Sequence, residues 1–468
     1  MKTLTLFDSV KKQKLPFIPI QENKVKLYVC GPTVYDDSHL GHARSAIAFD
    51  LLHRTLLALG YEVEYARNFT DIDDKIIKKS HQTHQSLEEI TSYYISSYLQ
   101  DMKALNILPP TLEPKATQNL EAMVEMIETL LQKNIAYKNN AGDVYLDSSQ
   151  DKQYGSLSHR GEELETQSRL ENDGEKKNPR DFALWKAYKG EEDIGYETSL
   201  GKGRPGWHIE CSAMIEKHLA YKNEQYAIDI HGGGADLLFP HHENEASQTR
   251  CATSRELAKY WIHNGFVTVN GEKMSKSLGN SFFLKDVLAH YHGEIIRNYL
   301  LGTHYRANFD FGETDLLTSK KRLDKLYRLK KRLKATSDTS NSPLRDLLLE
   351  ALSEDLNISL ALSHLENFFK ESNEALDKSP KDKSLHHTIA SSLLAISEIL
   401  GLGELEASEY FQLGVSSEEK QEIEAMIAQR NEAKSNKDYA MADHLRNILQ
   451  ERGIVLLDTP QGTFWEKN

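Results

Sequence analysis

The chain has 468 residues and a mass of 53.3 kDa, with 39% hydrophobic residues, 27% charged residues and a formal net charge of -13. Its length exceeds that of one simple domain and predicts roughly three or four domains. No apolar run approaches the ~18 residues that a membrane span needs, so we expect no membrane association. The acidic balance does not favour a nucleic-acid partner, although a local basic face can still hold one.

Cysteine use and the N-terminal residues indicate the compartment. Three cysteines, Cys30, Cys211 and Cys251, are too few for a disulfide framework in a chain of this length. Residues 1–8 carry neither the apolar region nor the small-residue cleavage site of a signal peptide. We therefore expect a cytoplasmic protein, in which a cysteine is a metal ligand, a nucleophile or a small buried hydrophobe.

The first predicted elements are a strand, a helix and a second strand. Residues 25–30 are largely apolar and predict a strand that ends on a cysteine and is stopped by a Gly-Pro pair. Helical spacing follows, which places His39 and His42 near a helix start with Ser38 as the N-cap. Residues 62–70 predict the next strand. This order implies parallel pairing, and open α/β sheets bind ligands at the carboxyl ends of their strands.

The rest of the chain predicts more sheet, an insertion and then helices. A capping box of Ser86 and Glu89 marks the start of one helix. Residues 134–200 form a predicted insertion, in which the charged stretch 162–180 is an expected mobile surface loop. The predicted elements are helices at 86–105 and 117–133, strands at 143–147, 226–230 and 261–269, helices at 319–334, 344–353, 359–375 and 386–400, a linker at 335–343, a helical hairpin at 418–452, and strands at 453–459 and 462–465.

One short stretch is rich in metal-ligand side chains. If it opens a helix, His241 and Glu245 share one face, whereas His242 points elsewhere. Together with Cys30 and Cys211, the set has two thiolates, one imidazole and one carboxylate, which indicates Zn²⁺. The alternative, of about equal weight, is a solvated helix face and two core cysteines. A carboxylate ligand is unusual in a purely structural zinc site, so a metal here would indicate function.

Two further stretches carry side chains suited to phosphate. Gly41 allows a ligand to approach the backbone at a helix start, and the flanking imidazoles of His39 and His42 can donate to phosphate oxygens. Lys273 and Lys276 supply positive charge for a polyphosphate. The glycines that follow His231 are a weak nucleotide signal. Taken singly, each stretch has a simpler explanation as a surface histidine pair, a solvated lysine loop or a flexible turn.

Taken together and in order, these stretches resemble the class I aminoacyl-tRNA synthetases. His39-Leu40-Gly41-His42 resembles the His-x-Gly-His signature, with leucine in place of the commoner isoleucine, and residues 273–277 match the Lys-Met-Ser-Lys-Ser loop. Other motifs narrow the resemblance to the cysteinyl-tRNA synthetase family over essentially the whole chain. The segment 219–227 is longer than is usual in that family. The narrower motifs lie at 28–36, 68–75, 206–214, 229–234, 240–245, 440–446 and 458–459.

The resemblance implies the architecture. It implies an α/β Rossmann-type catalytic domain with a parallel sheet and a connective insertion, followed by an all-α helical bundle and a small α+β C-terminal domain. The expected boundaries are 1–133 and 201–265 for the halves of the catalytic domain, 134–200 for the insertion, 266–312 for a stem-contact region with the lysine loop, 313–402 for the bundle and 403–468 for an anticodon-binding domain.

The resemblance also implies the reaction and its participants. It implies ATP-dependent ligation of L-cysteine to tRNA(Cys) through a cysteinyl-adenylate, with Mg²⁺ accompanying ATP, by a cytoplasmic monomer. One Zn²⁺ on Cys30, Cys211, His241 and Glu245 would recognise the substrate thiol. The implied catalytic residues are His39, His42, Lys273 and Lys276, the implied ATP-site residues are Pro32, His39, Gly41, His42, Gly232, Gly233, Gly234, Asp236 and Lys276, and the implied substrate-pocket residues are Thr70, Trp207 and His231.

Three other functions fit parts of the sequence. An ATP-dependent cysteine ligase acting on a small-molecule amine would not need the helical region after Gly312 or its basic helix. A non-catalytic regulator that binds zinc and tRNA would need neither the histidine pair nor the lysine pair. A methionyl-tRNA synthetase shares the class signatures and is the nearest alternative among enzymes.

Overall fold

The computed structural model describes residues 3–159, 176–269, 272–273, 282–333, 342–459 and 462–467. The chain divides into two compact units. The first comprises Met1–Asp286, Leu300–Gly312 and Leu348–Ala361, and the second comprises Val287–Tyr299, Glu313–Leu347 and Leu362–Asn468. Within the described ranges, no helix combines the length and the apolar character required to cross a bilayer.

Strands and helices alternate in the first part of the chain, and helices dominate thereafter. The strands are β1 (Thr5–Asp8), β2 (Gln13–Pro16), β3 (Lys24–Val29), β4 (Glu62–Arg67), β5 (Ala136–Lys138), β6 (Val144–Leu146), β7 (Phe182–Ala187), β8 (Gly203–Pro205), β9 (Tyr226–Gly234), β10 (Glu256–Asn264), β11 (Val267–Val269), β12 (Glu272–Lys273), β13 (Phe309–Asp310), β14 (Ile454–Thr459) and β15 (Gly462–Lys467). The helices are α1 (Leu40–Ala58), α2 (Asp74–Thr83), α3 (Leu87–Ala104), α4 (Leu120–Gln132), α5 (Trp207–His218), α6 (Glu243–Thr253), α7 (Leu284–His290), α8 (Gly293–Leu301), α9 (Glu313–Lys331), α10 (Pro343–Leu352), α11 (Ile358–Lys378), α12 (Lys383–Leu400), α13 (Ala407–Tyr410), α14 (Ser417–Ser435) and α15 (Tyr439–Glu451).

A four-stranded parallel sheet forms the centre of the first unit. Its strand order is β10-β9-β3-β4, so that β3 lies between β9 and β4. This arrangement confirms the predicted parallel pairing. Because the carboxyl ends of parallel strands meet at one edge of a sheet, the residues that follow β3 and β4 lie beside the end of β9.

Several predicted strands have different bounds in the structure. The strand expected over residues 226–230 extends to Gly234, so the three glycines belong to a strand and not to a turn. The strand expected over residues 62–70 ends at Arg67. The strand expected over residues 261–269 starts at Glu256 and is interrupted at Gly265, where any side chain would clash with the carbonyl oxygen of Ala307. The interruption separates the parallel sheet from the small sheet of β11, β12 and β13.

Helix α1 presents its first turn at the carboxyl edge of the sheet. The helix is capped by His39, one residue later than the predicted cap Ser38. Arg44 is fully enclosed, and its guanidinium donates to the carbonyl oxygens of Leu300 and His304 at 2.6 Å each. These bonds hold the start of the helix firmly within the first unit.

The insertion forms an antiparallel sheet in the order β5-β6-β7-β8, in which β8 lies just after the predicted end of the insertion at residue 200. The predicted short strand at 143–147 corresponds to β6. Trp185 of β7 is completely buried in an apolar cluster with Val144 and Leu146. The predicted loop at 162–180 falls mainly on residues 160–175, which lie outside the described residues.

The second unit is helical until the pair β14–β15, as predicted. The expected linker at 335–343 lies almost entirely outside the described residues. Helix α10 begins just after it, where the Ser342 hydroxyl accepts the N–H of Arg345 at 3.1 Å. The predicted hairpin of α14 and α15 packs with β14 and β15 around Ile423, Leu449 and Trp465.

The basic side chains of α9 pair with acidic side chains of the same unit. Arg322 and Lys325 contact Glu366 at 3.2 and 2.7 Å, and Lys331 contacts Glu466 at 2.5 Å. The positive face that the sequence predicts here is therefore partly neutralised, and its charges contribute to holding the helices together.

Asp101 of α3 is a buried carboxylate beside a second carboxylate. Only 6% of the residue is exposed. Burial, reinforced by the charge of Asp37, raises the pKa of Asp101 to about 6, although the Ser38 hydroxyl and Lys285 act in the opposite direction. The Ser38 hydroxyl therefore interacts with Asp101, although it was predicted to cap α1.

We expect Asp101→Asn to stabilise the protein by about 3 kcal/mol at pH 7.5. Between pH ~4 and ~6 the folded protein retains a proton on Asp101 that the unfolded chain releases, so the wild type loses stability as the pH rises through this window. The variant has no such loss. Thermal unfolding followed by circular dichroism should show a small difference at pH 4 and the full difference at pH 7.5. Equal midpoints at pH 7.5 would contradict the expectation.

Candidate active site

A cavity of about 540 Å³ opens at the carboxyl ends of the parallel strands. Its walls include Cys30 after β3, His39 at the start of α1, Trp207 at the start of α5 and Asp236 just after β9. The cavity therefore joins the predicted thiol position to the predicted phosphate-binding turn.

Two cysteines, one histidine and one glutamate meet beside this cavity. The Sγ atoms of Cys30 and Cys211 lie 3.8 Å apart, and Cys211 Sγ lies 3.6 Å from His241 Nε2. Glu245 Oε1 lies 2.9 Å from His241 Nε2 and 3.4 Å from Cys30 Sγ. Cys30 is half-buried and the other three are buried. The structure thus brings together all four residues predicted as metal ligands.

These separations fit a tetrahedral zinc ion. With Zn–S bonds of ~2.3 Å and Zn–N bonds of ~2.0–2.1 Å, a tetrahedron places two sulfur ligands about 3.8 Å apart and sulfur about 3.6 Å from nitrogen. The observed sulfur–sulfur and sulfur–nitrogen distances are 3.8 and 3.6 Å. Thiolate, imidazole and carboxylate are all zinc ligands. The residues present therefore fit this metal.

The two thiols differ in acidity. Burial raises the pKa of Cys30 well above its ordinary value, and the hydrogen bond with Cys211 adds to this effect. Burial acts in the same direction on Cys211, but hydrogen bonds with Cys30 and His241 outweigh it and bring the pKa of Cys211 to about 6. A lowered pKa favours the thiolate, the form in which cysteine binds metals.

Neighbouring rings fix the orientation of His241 and Glu245. Trp207 stacks on His241 with ring centroids 4.2 Å apart, and His208 Nδ1 lies 2.9 Å from His241 Nδ1. On the other side, His231 Nε2 lies 2.8 Å from Glu245 Oε2. Partners of this kind hold a metal ligand in the orientation that coordination requires.

A second group of possible ligands shares Cys30 and Glu245. Its other members are His231 and His242, and His242 Nε2 lies 3.4 Å from Cys30 Sγ. His263 supports His242, with a nitrogen–nitrogen distance of 2.8 Å. Sequence reasoning did not identify this group.

The turn before α6 explains why His242 was not predicted to reach Cys30. Phe239 has φ -139° and ψ 133°, so residues 238–242 do not form a regular α-helix, which begins only at Glu243. The four-residue spacing that was expected to point His242 away from the site does not apply there. The residue before a proline is biased toward extended backbone, so Phe239 before Pro240 is the local sequence signal for this turn.

His39 and His42 form a reciprocal cap at the start of α1. The N–H of Gly41 donates to His39 Nδ1 at 3.1 Å, and the N–H of His39 donates to His42 Nδ1 at 3.2 Å. The two rings stack with centroids 3.8 Å apart. Because each Nδ1 accepts a hydrogen bond, the neutral rings carry their protons on Nε2. Both histidines thus line the cavity as Nε2–H donors.

The predicted ATP residues divide into two groups. Gly234 and Asp236 line the cavity, as do Pro32, Gly41 and the histidine pair. Gly232 and Gly233 are buried, and they are needed for close packing, because a Cβ on Gly232 would clash with the Phe49 ring and one on Gly233 would lie 3.1 Å from the His242 ring.

The lysine pair lies mostly beyond the part of the chain that the structure describes. The backbone of Lys273 belongs to β12, and Lys276 is outside the described residues. The segment that follows is tethered to the histidine turn, because the N–H of Leu40 donates to the carbonyl oxygen of Phe282 at 3.2 Å.

The three predicted substrate-pocket residues have different surroundings. Trp207 lines the cavity and is 39% exposed. Thr70 and His231 are buried. The Thr70 hydroxyl donates to Glu210 Oε2 at 2.9 Å, and His231 Nε2 lies 2.8 Å from Glu245 Oε2. In this structure Thr70 and His231 support the metal-ligand cluster.

Solved structures with this fold include two synthetases. The chain is similar to methionyl-tRNA synthetase of Mycobacterium tuberculosis in complex with methionyl-adenylate, with a TM-score of 0.57, 14% identity and coverage of 83% of this chain and 91% of that chain. It is also similar to a putative arginyl-tRNA synthetase from Campylobacter jejuni, with a TM-score of 0.54, 14% identity and coverage of 82% and 93%. Likeness at this identity establishes the fold alone.

Family models match three regions of the chain. Residues 16–321 match the catalytic domain of class I (C) tRNA synthetases, residues 349–405 match a DALR domain, and residues 416–465 match a cysteinyl-tRNA ligase anticodon binding domain. The first match alone covers more than half of the chain. Fold and matched domains together define a class I tRNA synthetase.

Curated relatives narrow the class. The chain is 60% identical to cysteine-tRNA ligase of Helicobacter hepaticus, covering 99% of this chain and 100% of that protein. It is 60% identical to the ligase of Wolinella succinogenes, covering 99% of each chain. It is 59% identical to the ligase of Aliarcobacter butzleri, covering 100% of each chain. The chain belongs to the cysteine-tRNA ligase family, as its motifs predicted.

Proposed function

We propose that this chain joins L-cysteine to tRNA(Cys) with ATP and Mg²⁺. In the first step a carboxylate oxygen of cysteine attacks the α-phosphorus of ATP and pyrophosphate leaves. In the second step a hydroxyl of the 3′-terminal adenosine attacks the carbonyl carbon of the adenylate and AMP leaves. The observation that carries the proposal is the two-thiol cluster of a chain in this family. The cluster lies beside the cavity that His39 and His42 line, and its member Cys30 is part of the same cavity wall.

We assign one Zn²⁺ per chain to Cys30, Cys211, His241 and Glu245. This set is preferred to the one with His242 because it contains both thiols, which are the softest donors present. When bound, zinc supplies a Lewis acid that takes up the substrate thiol as a thiolate, whose free pKa is about 8.5.

The same ligand set explains discrimination against serine. A shaped pocket separates substrates that differ by one small group by only about 1–3 kcal/mol. A soft donor cluster distinguishes sulfur from oxygen by chemistry as well as by size, since a hydroxyl is a weak acid and a poor match for such a site. Trp207, stacked on His241, closes the wall of the cavity beside this cluster. On this account the enzyme needs no editing domain.

Activation of cysteine uses positioning and charge. The Nε2–H groups of His39 and His42 donate to phosphate oxygens as negative charge builds in the transition state. Lys273 and Lys276 stabilise the departing pyrophosphate. We assign Asp236, which lines the same cavity just after β9, to the binding of adenosine. Transfer of this kind depends mainly on orientation and electrostatics.

The region after Gly312 supplies contacts with tRNA in addition to those of the stem-contact region at 266–312. Support comes from the match of residues 416–465 to an anticodon binding domain. The domain boundaries at 133, 200, 265, 312 and 402 belong to the proposal, as do a monomeric state and a cytoplasmic location.

The deciding experiment is ATP–pyrophosphate exchange with cysteine, serine and methionine in separate reactions, followed by aminoacylation of tRNA(Cys). We expect exchange with cysteine alone and transfer to tRNA. Exchange with methionine would instead favour a methionyl-type enzyme. Cysteine-dependent exchange without transfer to tRNA would favour a ligase acting on a small-molecule amine.

A further inference from the structure

Asn68, the first residue after β4, touches both thiol-bearing segments. It is 1% exposed. Its side-chain oxygen accepts the N–H of Gly31 at 2.9 Å and lies 3.8 Å from the Sγ of Cys211. One oxygen atom therefore contacts the backbone next to Cys30 and the other thiol itself.

The amide nitrogen of Asn68 extends this contact into a closed ring. Nδ2 donates to the hydroxyl of Thr70 at 3.4 Å, and that hydroxyl donates to Glu210 Oε2 at 2.9 Å. Glu210 directly precedes Cys211 on α5. The ring thus runs from Asn68 through two side chains and one peptide bond to the thiol that Asn68 contacts.

The backbone at Cys30 is held from both neighbouring strands. The N–H of Cys30 donates to the carbonyl oxygen of Gly232 on β9 at 3.2 Å, while the next N–H, that of Gly31, is bound by Asn68 on the β4 side. A side chain at Gly31 would clash with the carbonyl oxygen of Asn68, so the two backbones are in close contact. Asn68 is the side chain that completes this clamp.

We propose that Asn68 is a positioning residue that sets the separation of Cys30 and Cys211 before the metal binds. This inference rests on the zinc site of the proposed function. The chemistry of asparagine suits the role, because its oxygen accepts from Gly31 while its nitrogen donates to Thr70. Partners that orient metal ligands typically change metal affinity by 10–100-fold when they are replaced.

The test compares three variants of the full-length protein. Asn68→Ala removes both the oxygen that accepts from Gly31 and the nitrogen that donates to Thr70. Thr70→Val removes the hydroxyl with little change of shape. Asn119→Ala is the matched control, since Asn119 is also buried in the first unit and makes two side-chain hydrogen bonds of 2.8 Å away from the thiols. Zinc affinity is measured by competition with a chromogenic chelator, and Co²⁺ substitution reports thiolate coordination by its absorption.

We expect Asn68→Ala to weaken zinc binding by about 10–100-fold and to shift the thiolate–Co²⁺ absorption. Thr70→Val should have a smaller effect of the same kind, and Asn119→Ala should bind zinc as the wild type does. Thermal unfolding identifies which variants are folded. If Asn68→Ala does not fold, the isosteric Thr70→Val carries the test.

Two results overturn the inference and are distinguishable. If the wild type binds about one zinc per chain tightly and the folded variants match its affinity and Co²⁺ spectrum, Asn68 has no positioning role and the zinc site stands. If the wild type binds no zinc tightly, the zinc site falls and this inference falls with it.

Discussion

Replacing Cys211 with serine is expected to lower cysteine-dependent pyrophosphate exchange by about 10³-fold at subsaturating cysteine. The substitution removes one of two soft donors, and a Lewis acid in an active site is worth several kcal/mol, at 1.36 kcal/mol per factor of ten. Discrimination between cysteine and serine should fall to the ~10–200-fold that shape alone supplies. Exchange kinetics with each amino acid measure both effects.

The control is Cys251→Ser, because Cys251 is a half-buried thiol that packs against the apolar cluster of the insertion. We expect this variant to retain exchange, selectivity and zinc content. If the Cys211→Ser protein keeps both exchange and selectivity, the assignment of Cys211 to substrate recognition is wrong. If it loses zinc but keeps exchange and selectivity, the zinc of the wild type has no role in substrate recognition.

The position of Cys30 could be predicted from local sequence, whereas the four-residue cluster was predicted from ligand chemistry and family resemblance and not from spacing alone. A strand that ends on a cysteine, followed by a helix and a parallel strand, places that thiol at the binding edge of a sheet by topology alone. The thiol of Cys211 reaches the same point because α5 packs across the sheet face and buries Ile215 and Ile228 in one cluster. Packing of this kind joins residues far apart in the chain, and no local spacing encodes it.

Two expectations about individual side chains did not hold, those for His242 and Ser38. His242 reaches Cys30 from a turn whose Phe239 is non-helical, so helical spacing could not place it. Ser38 does not cap α1 because its hydroxyl serves Asp101, while a histidine ring performs the capping. The first outcome follows from a proline that interrupts the helical spacing. The second depends on a long-range partner that propensity and spacing do not encode.

Replacing His42 with asparagine is expected to lower the rate of cysteine-dependent exchange at saturating substrates by about 10²–10³-fold, the cost of one lost transition-state donor. Asparagine keeps a short side-chain acceptor for the N–H of His39, which His42 Nδ1 now accepts at 3.2 Å, but it has no group at the position of Nε2. Folding should therefore be preserved while transition-state stabilisation is lost. Pre-steady-state adenylate formation and thermal unfolding separate the two effects.

A second variant, His42→Ala, removes the cap as well as the donor and should lose about 1 kcal/mol of stability in addition. If His42 acted only as a cap, the asparagine variant would be as active as the wild type and the alanine variant would be both less stable and less active. If His42 acts as a Nε2–H donor, the two variants lose activity equally and differ only in stability. The ring centroids of His39 and His42 lie 3.8 Å apart, so loss of one ring should also disorder the other. The loss of activity on replacing both histidines should therefore be smaller than the sum of the two single losses, expressed as free energies.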